Sequence, residues 1–348
     1  MKSSLSPLRA AILISGGADS TFALLKATRK YRFVEAITFS FTEKSTCCTP
    51  SDIEDAAYYS KLFGVKHRII DVSREFSNEV IKKTENIYLS GKTPNPCAIC
   101  NKKVKIEQFI KTNCPAKYDV VITGHYARIT KYAGRYCIER AVDIKKDQSY
   151  FLGRLSEPYL KYLELPCGDF SKTDIRRELE EMGLEIHKKR ESQDLCFADS
   201  SEYKKFKKQL SLPGNIIHIA TGEVIGKHKG IINYTVGQRK GLGISWESPL
   251  YVVKVDPANN TIFVGEKEFL YTDTIYINNI NWLCSDKQPS LDGKVKIRSL
   301  SPLFDAHFTE TGSDTAKITV NKKIFAVTPG QLAVFYKNNR LILSGWII

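Results

Sequence analysis

The sequence of 348 residues has no long hydrophobic run. A membrane-spanning helix needs about 18 to 20 consecutive apolar residues, and no stretch approaches that length, so we expect no membrane span. The apolar stretch at residues 10–14 is also too short for the core of a secretion signal. Internal repeats and low-complexity tracts are lacking as well. These absences predict a soluble, cytoplasmic protein, and an apolar content of 42% is sufficient to form buried cores.

Acidic residues are few compared with basic ones. The chain has 38 Asp and Glu against 52 Lys and Arg, which gives a formal net charge of +14 and a pI near 9.2. A surplus of this size favours a polyanionic partner such as nucleic acid, although surplus lysine can also simply keep a protein in solution. At roughly 100–200 residues per domain, the length predicts two or three domains.

The cysteines are unevenly spaced and odd in number. Nine cysteines without a secretion signal argue against a disulfide framework and predict reduced thiols. Cys97 and Cys100 have the CxxC spacing of zinc ligands, but a closed zinc site needs four ligands and there is no second CxxC or HxxxH. The adjacent pair Cys47 and Cys48 would be awkward as the other two ligands. We expect the remaining isolated cysteines to be buried and chemically inert: Cys114, Cys137, Cys167 and Cys284.

The first two hundred residues alternate between strand and helix patterns. Short apolar runs at residues 10–14, 34–41, 67–71 and 120–123 are separated by helical segments. This alternation predicts an α/β fold, in which a doubly wound, mainly parallel sheet carries helices on both faces.

The composition changes after about residue 200. Residues 201–245 contain eight basic and two acidic residues and are rich in glycine, and short alternating segments with Asn, Asp and Gly turns follow from Pro249 onward. Such segments predict a small antiparallel barrel or sandwich. We therefore expect three units: an N-terminal α/β domain (1–200), a small basic central domain (201–272) and a C-terminal antiparallel β-barrel (273–348).

A glycine-rich loop lies between the first predicted strand and the first predicted helix. Its sequence is Ser15-Gly16-Gly17-Ala18-Asp19-Ser20. Glycines let the backbone turn sharply with its N–H groups near a ligand, and the positive end of the helix dipole favours phosphate. Asp19 could hold Mg²⁺ or cap the helix. The alternative is an ordinary glycine turn, but the complete hexapeptide directly after a strand favours a phosphate loop. It resembles the SGGxDS motif, or PP-loop, of ATP pyrophosphatases, which cleave ATP between the α and β phosphates.

Further motifs follow in a fixed order along the chain. They are Thr93-Pro94-Asn95-Pro96-Cys97-Ala98-Ile99-Cys100-Asn101, Gly124-His125-Tyr126-Ala127-Arg128, Lys146-Asp147-Gln148-Ser149-Tyr150, Cys196, Gly226-Lys227-His228-Lys229-Gly230, Tyr234-Thr235-Val236-Gly237-Gln238-Arg239-Lys240-Gly241 and Thr328-Pro329-Gly330-Gln331. Together with the phosphate loop, these motifs make the chain resemble the tRNA-specific 2-thiouridylases of the MnmA type. The resemblance covers essentially the whole chain.

The resemblance implies ATP-dependent replacement of oxygen by sulfur at carbon 2 of the wobble uridine in tRNA. ATP would first adenylate the uracil oxygen, a persulfide on Cys196 would supply the sulfur, and Cys100 would release it by forming a disulfide with Cys196. The implied ATP site comprises Leu13, Ile14, Ser15, Gly16, Gly17, Ala18, Asp19, Ser20, Phe39 and Gly124. The implied tRNA contacts are Asn95, Pro96, Cys97, His125, Lys146, Asp147, Gln148, Arg298, Ser299 and Gln331. The charge of residues 201–245 separately predicts a basic tRNA-binding patch of Lys227, Lys229, Arg239 and Lys240, and the loop at residues 228–240 mixes basic residues with Tyr234 as RNA-binding loops often do.

The chain departs from the commonest pattern of that family in three places. Cys97 stands where many members have an Asp with a general-base role, so that role is open here. Cys97, Cys100 and Cys196 also form a set of three cysteines that could hold a 4Fe-4S cluster with one iron open to sulfide. The other departures are Arg298-Ser299, where Arg-Tyr is common, and Trp346 in a C-terminal segment that is more often glycine-rich.

The expected partners are tRNA, of the Glu, Gln and Lys isoacceptors, and a protein sulfur donor, either a cysteine desulfurase or a sulfur carrier. We expect a monomer that uses ATP and Mg²⁺. Two other interpretations stay open. Another PP-loop ligase that adenylates a small carboxylate would need neither a basic domain nor two distant cysteines. A catalytically silent RNA-binding protein should have lost Asp19, Cys100 or Cys196, and all three are present.

Overall fold

The computed structural model describes residues 5–41, 48–189 and 196–348. Within these ranges the chain forms a five-stranded, a four-stranded and an eight-stranded sheet. The predicted fold class is confirmed: an N-terminal parallel sheet with helices, a small central unit and a closed antiparallel barrel. None of the helices in the described ranges is long and apolar enough to cross a membrane.

The parallel sheet has the strand order β3-β2-β1-β4-β7. The bounds are β1 Ser6–Leu13, β2 Tyr31–Ser40, β3 Lys66–Asp71, β4 Val120–Thr123 and β7 Leu163–Glu164. Alternate residues of β1 face opposite sides, because Ala11 belongs to one hydrophobic cluster and Ile12 to another. The strand order reverses between β1 and β4, and α/β proteins bind ligands at such a switch point, outside the carboxyl ends of the strands. The glycine-rich loop follows β1 at this edge.

Local signals set the starts of the helices around the sheet. The first helix begins at Gly17, and the second begins with a capping box between Thr49 and Asp52. The bounds are α1 Ala18–Lys30, α2 Pro50–Leu62, α3 Ser73–Phe76, α4 Lys82–Leu89, α5 Pro96–Cys100, α6 Ile106–Asn113, α7 Ser149–Leu152, α8 Glu157–Leu160, α9 Lys172–Glu181 and α10 Ser201–Gln209. Two π-helical turns, Ser77–Ile81 and Asn101–Lys105, precede α4 and α6.

The central unit is a four-stranded sheet with the order β10-β11-β8-β9. The strands are β8 Gly214–His218, β9 Val224–His228, β10 Tyr251–Asp256 and β11 Thr261–Gly265. Its core contains Ile216, Val252 and Ile262. The alternating segments at residues 251–255 and 261–264, which follow Pro249, therefore belong to the central unit, and β11 pairs with β8 in parallel.

The C-terminal unit is a closed barrel of six antiparallel strands, because β12 pairs with both β15 and β17. The strands are β12 Tyr271–Trp282, β13 Ser290–Lys296, β14 Phe304–Gly312, β15 Thr315–Phe325, β16 Leu332–Lys337 and β17 Arg340–Ile347. Fully buried side chains such as Val295, Phe308 and Leu343 fill its interior. Closure removes the exposed edges that an open antiparallel sheet would have.

A hairpin from the N-terminal unit extends the barrel sheet. Its strands, β5 Ala127–Tyr132 and β6 Arg135–Arg140, follow β4, and β6 pairs with β17 through Glu139 and Arg340. The strand that ends beside the phosphate loop is therefore followed directly by an element fixed to the barrel.

Two cysteines of this junction form a disulfide. Cys137 in β6 is bonded to Cys284, just after β12, and both side chains are buried in the barrel core. The expectation that these two cysteines are reduced and inert is therefore wrong. They lie 147 residues apart in different units, and only the docking of the hairpin on the barrel brings them together.

Candidate active site and nucleic-acid interface

The phosphate loop is folded by its own hydroxyl groups and by close packing. The Ser20 Oγ accepts the N–H of Ser15 at 3.1 Å and donates to the carbonyl of Gly17 at 3.0 Å. Gly16 has φ +69°, and a Cβ there would lie 2.0 Å from the carbonyl oxygen of Asp52. Only glycine fits this position, and the hydroxyl of the exposed Ser15 donates to the Ser20 Oγ at 3.2 Å.

Gly124 brings the end of β4 against the same loop. A Cβ at Gly124 would lie 2.8 Å from the backbone nitrogen of Ser20 and 2.9 Å from the carbonyl carbon of Asp19. The predicted ATP residues of the two strand ends are thus adjacent at the switch point. The side chain of Phe39, by contrast, is buried against Phe109, with ring centroids 5.9 Å apart. Any contact of Phe39 with a nucleotide would therefore come from its backbone.

Two lysines that the sequence interpretation missed lie beside the phosphate loop. The Asp19 Oδ1 accepts from the Tyr126 hydroxyl at 2.6 Å and from the Lys172 Nζ at 2.7 Å. The Lys189 Nζ donates to the carbonyl of Gly16 at 2.9 Å and pairs with Asp52 at 2.6 Å. No motif marks Lys172. Lys189 lies in the basic run Lys188-Lys189-Arg190, which precedes Cys196 in the sequence.

His125 is held neutral next to the crevice. Its Nδ1 lies 2.8 Å from the hydroxyl of Thr123, and burial, together with nearby Lys105, lowers the pKa of the imidazole to about 4. The Gln148 Oε1 accepts the backbone N–H of Tyr126 at 2.9 Å. Gln148 thus fixes the backbone that follows His125.

The segment that carries Cys97 and Cys100 is a short capped helix. The Asn95 Oδ1 accepts the backbone N–H of Ala98 at 3.3 Å, and Pro96 occupies the first turn of α5. Cys97 is exposed, whereas Cys100 at the end of α5 is buried. The two thiols therefore differ in access to solvent although they are three residues apart.

Cys196 lies on the hydrophobic cluster that contains Cys100. Cys100 is a buried member of this cluster, and the partly buried Cys196 packs against it. The neighbouring Phe197 is fully buried, with its ring 5.8 Å from that of Phe76 and 5.2 Å from that of Tyr203. Cys47 and the residues 190–195 that precede Cys196 lie outside the described residues.

A metal centre at the three cysteines is not formed in this structure. Among residues 5–41, 48–189 and 196–348, no group of three or more His, Cys, Asp or Glu side chains is placed to hold a metal ion. This range includes Cys97, Cys100 and Cys196. These three cysteines are therefore not grouped as the ligands of one metal ion in this structure, and Cys47, a further candidate zinc ligand, lies outside the described residues.

The loop before β16 of the barrel contacts the segment that carries Cys97 and Cys100. The Gln331 Nε2 donates to the carbonyls of Thr93 at 3.1 Å and Pro94 at 2.8 Å, and the N–H of Thr93 donates to the carbonyl of Pro329. A Cβ at Gly330 would lie 2.6 Å from the carbonyl oxygen of Thr93. The motif near the C-terminus therefore packs directly on the loop that precedes α5, a role that the sequence did not show for Gln331.

Asp147 links the N-terminal unit to the barrel. Its carboxylate accepts from the Arg140 Nε at 3.2 Å and from the hydroxyl of Ser149 at 3.0 Å, and the Lys296 Nζ of β13 lies 3.9 Å away. The side chain is fully buried. Its oxygens are used internally, so of the three predicted tRNA residues in this segment, Lys146 is the one with a long cationic side chain at the surface.

The central unit presents the predicted basic patch. Its four cations are all exposed, namely Lys227, Lys229, Arg239 and Lys240. Tyr234, which the sequence grouped with them as part of an RNA-binding loop, is instead buried in the core of the unit and packs edge-on against the buried His228. Its ring is not available to stack on a base.

Arg298 lies where the central unit meets the barrel. Its Nη2 donates to the carbonyl of Val236 at 3.2 Å and of Ala326 at 2.6 Å, and also to the hydroxyl of Thr328. Burial lowers the pKa of the guanidinium. The group therefore joins two units, and the adjacent Ser299 is half-buried beside it.

Fold and site together define an α/β class with a phosphate loop at the switch point of a parallel sheet. Residues 8–200 match the family described as tRNA methyl transferase HUP domain, residues 204–266 the tRNA methyl transferase PRC-barrel domain, and residues 272–347 the Aminomethyltransferase beta-barrel domain.

Two curated relatives are similar over nearly their whole length. The chain is 37% identical over 350 residues to the tRNA-specific 2-thiouridylase MnmA of Rickettsia prowazekii (strain Madrid E), with 97% of each chain covered. The same figures hold for the tRNA-specific 2-thiouridylase MnmA of Rickettsia typhi (strain ATCC VR-144 / Wilmington). The chain therefore belongs to the tRNA-specific 2-thiouridylase family of the MnmA type, a family of ATP-using tRNA sulfurtransferases.

Among solved structures, the U34-tRNA thiolase NcsA from Methanococcus maripaludis, with its 4Fe-4S cluster, is 18% identical with a TM-score of 0.36. The match covers 60% of this chain and 66% of that one. A likeness of this degree carries no conclusion about a cluster in this chain.

Proposed function

We propose that the protein replaces oxygen by sulfur at carbon 2 of the wobble uridine in tRNA and uses ATP to activate the base. The observation that carries this proposal is the position of two cysteines that are distant in sequence. Cys100 and Cys196 pack on one hydrophobic cluster in the unit whose switch point bears the phosphate loop. A simple carboxylate ligase would have no use for this pairing.

The first step is adenylation at the phosphate loop. The uracil O2 attacks the α-phosphorus of ATP and pyrophosphate leaves, so that the oxygen becomes part of a good leaving group, AMP. The backbone N–H groups of the loop face the phosphates, and the ammonium groups of Lys172 and Lys189 lie next to it. Asp19 is the loop residue that would hold Mg²⁺, whose charge offsets that of the phosphate oxygens.

The second step is sulfur transfer from a persulfide on Cys196. The terminal sulfur attacks carbon 2, and the bond between carbon 2 and the AMP oxygen breaks. The thiolate of Cys100 attacks the Sγ of Cys196, so a disulfide forms between them as the sulfur departs. A thiol reductant then returns both to thiols. Lys102, Lys103 and Lys105 follow Cys100 directly, and nearby cations favour the thiolate that this attack requires.

The tRNA would cross from the cysteine segment to the central unit. We assign the target base to Asn95, Pro96 and Cys97, of which Cys97 is exposed and the other two are buried beside it. We assign the phosphate backbone to the half-buried Lys146 and the exposed basic patch. Asp147, Arg298 and Gln331 support these surfaces through the contacts described above. The Glu, Gln and Lys isoacceptors, the protein sulfur donor, the monomeric state, the cytoplasmic location and the division at residues 200 and 272 stay predictions.

An iron–sulfur version of the reaction is the second candidate, because Cys97 supplies a third cysteine beside Cys100 and Cys196. Iron and acid-labile sulfide analysis after anaerobic purification tests it. Since these residues do not form a metal site in this structure, we expect no stoichiometric iron. Full activity from iron-free protein loaded with persulfide would exclude the cluster.

The function is tested by incubating the protein with ATP, Mg²⁺, a persulfide donor and unmodified tRNA. We expect AMP, pyrophosphate and 2-thiouridine in equal amounts. Cys100→Ser and Cys196→Ser should each abolish 2-thiouridine. Cys114→Ser is the matched control. Cys114 lies at the end of α6, and burial, with a smaller contribution from the nearby Asp119 carboxylate, raises the pKa of its thiol to about 11. The thiol therefore forms little thiolate at neutral pH.

Other outcomes would contradict the proposal. AMP formed only with a small carboxylate acceptor would indicate a ligase. Binding of tRNA without release of AMP would indicate a silent RNA-binding protein. Unchanged thiolation in Cys196→Ser would exclude this residue as the sulfur carrier.

A further inference from the structure

A cleft of about 540 Å³ lies between the N-terminal unit and the end of the barrel. It is lined by α4, α5, the π-helical turn after α5, and the barrel strands β12 and β17. The lining residues on which the argument depends are Lys83, Ile99, Lys102, Lys103, Arg154 and Trp346. Its volume is within the range of ordinary ligand sites.

The lining is cationic without a carboxylate. Lys83, Lys102, Lys103 and Arg154 contribute four positive groups, and no Asp or Glu among the described residues lines the cleft. Three acids stand behind this lining: Glu79 pairs with Lys83 at 2.6 Å and also acts on Lys103, Glu107 lies 4.0 Å from Lys102, and Asp314 acts on Arg154. The excess of positive charge favours an anionic ligand, such as a phosphate group.

The other side of the cleft is aromatic and is held rigidly. Trp346 of β17 is partly buried, and the guanidinium of Arg154 lies 5.5 Å from its ring centroid. Arg154 is fixed in turn, because its Nη1 donates to the carbonyl of Asn279 at 2.6 Å and its Nη2 to the Asn279 Oδ1 at 2.7 Å. Cations next to an indole ring are the combination that binds the phosphate and the base of single-stranded RNA.

The cleft adjoins the cysteine segment. Ile99 lines it and stands on α5 between Cys97 and Cys100, whereas Cys100 belongs to the buried hydrophobic cluster. Because Ile99 follows Cys97 by two residues, it faces the other side of α5, so an occupant of the cleft lies across this short helix from the exposed Cys97, where we place the target uridine.

We propose that this cleft binds a nucleotide of the tRNA anticodon loop that neighbours the target uridine, with its phosphate on Lys83 and Lys103 and its base against Trp346. The inference rests on the proposed function, because it takes the RNA to be the substrate of the adjacent cysteines. It assigns this chain's own Trp346, which the resemblance to the family left unexplained, to substrate binding.

Binding of an unmodified anticodon stem-loop RNA to the full chain tests the inference. We expect the double variant Lys83→Ala/Lys103→Ala to weaken binding about tenfold and to reduce the salt slope of the affinity by about 1 to 2. The matched control is Arg32→Ala/Lys66→Ala, which removes the same charge near the amino ends of β2 and β3, at the sheet edge opposite to the site. The control should keep the affinity and the slope of the wild type.

Trp346 gives a second, separate measurement. The RNA should quench tryptophan fluorescence in the wild type, and Trp346→Phe should remove most of the quenching while it weakens binding less than Trp346→Ala, which we expect to cost about tenfold. Thermal unfolding of each variant shows whether it is folded, and the Phe variant keeps the test valid if the Ala variant unfolds.

Failures of the two proposals are distinguishable. If the lysine and tryptophan variants bound RNA with the affinity and salt slope of the wild type, and thiolation was intact, the proposed role of the cleft would be overturned and the proposed function would stand. If the cleft variants lost stem-loop binding but the wild-type protein never formed 2-thiouridine, the proposed role of the cleft would be supported and the proposed function would be overturned. Normal RNA binding with slower loading of Cys196 by a protein donor would make the cleft a donor interface instead and overturn the inference.

Discussion

Lys172 is a buried positive charge next to the phosphate loop. It is one of few nearly buried lysines, and its ammonium lies 2.7 Å from the Oδ1 of Asp19 in the phosphate loop. In the absence of nucleotide it neutralises that carboxylate. With ATP bound, it adds positive charge next to the phosphates, where fixed charges act most strongly.

We predict that Lys172→Met lowers kcat/KM for pyrophosphate release by about tenfold or more, in line with the loss of one preorganised electrostatic partner. Lys26→Met is the control, because Lys26 lies on α1, the helix that carries Asp19, but pairs with Glu178 of α9 at 2.8 Å instead. Pyrophosphate release with tRNA and varied ATP measures the effect. Equal activity in the two variants would show that Lys172 does not contribute to adenylation.

His125 gives a pH prediction with a definite sign. Its pKa is lowered to about 4 in the folded protein, whereas an unfolded chain protonates histidine near pH 6.5. Between these values the unfolded state binds more protons, so this residue's contribution to stability is present above about pH 6.5 and is lost as the pH falls toward 4. Denaturant unfolding at pH 7 and pH 5 should therefore show a smaller loss of stability in His125→Gln than in the wild type. A loss as large in the variant would contradict a neutral His125.

At the level of single residues, the sequence predicted local geometry better than contacts between distant segments. The loop hexapeptide does join the first strand to the first helix, because this motif is contiguous, whereas the roles given to the two cysteines stay predictions. The sequence interpretation missed Lys172, and it assigned Asp147 and Tyr234 to RNA contacts although the fold buries both. Burial depends on neighbours from distant segments, and residue spacing alone does not contain that information.

The two glycines in the turn from β1 into α1, Gly16 and Gly17, differ in the space that each leaves for a side chain. At Gly16 the positive φ and the carbonyl of Asp52 leave no room for a Cβ, whereas a Cβ at Gly17 would meet only the Ser15 Oγ at 3.8 Å. We predict that Gly16→Ala destabilises the protein by about 2 to 4 kcal/mol and that Gly17→Ala costs less than about 1 kcal/mol. Thermal unfolding of the two variants without nucleotide measures this. A similar melting temperature for both would mean that the loop can relax around a methyl group.

The exposed basic patch of the central unit forms another element with a testable role. Replacing Lys227, Lys229, Arg239 and Lys240 by Ala should weaken binding of full-length tRNA and reduce its salt slope by about 3 to 4, because each phosphate contact releases nearly one counterion. Binding of the isolated anticodon stem-loop should change much less, since the patch lies on a separate unit from the cysteine segment. Unchanged affinity for full-length tRNA would exclude the patch from the interface.

Most elements were predictable because their sequence patterns are local. The runs at residues 10–14, 34–41, 67–71 and 120–123 became β1 to β4, and alternating segments at residues 294–298, 317–320 and 333–336 indicated β13, β15 and β16 of the barrel. The hairpin of β5 and β6 shows why the pairing of the other elements was not predictable from the sequence. Its alternating sequence is equally compatible with either sheet, and its pairing of Glu139 with Arg340 spans two units.

At the scale of the whole molecule, the disulfide between Cys137 and Cys284 fixes the position of the hairpin on the barrel. An odd cysteine count gave no sign of it, since pairing depends on how the units dock. The same docking places Gln331 on the cysteine segment, so a shift of the barrel would also move α5. The covalent link therefore bears on the active site as well as on the barrel.

We predict that Cys137→Ser/Cys284→Ser lowers the melting temperature by about 5 to 10 °C under non-reducing conditions, as expected for a cross-link that closes a long loop and contributes about 2 to 4 kcal/mol. A reductant should lower the wild-type value by a similar amount and leave the double variant unchanged, and Cys114→Ser should respond as the wild type does. Intact mass before and after alkylation in denaturant, without reductant, should show two cysteines protected in the wild type, because the denaturant exposes the buried free thiols as well. Nine alkylated cysteines under these conditions would mean that the bond is not formed, and the hairpin would then be held on the barrel by pairing and packing alone.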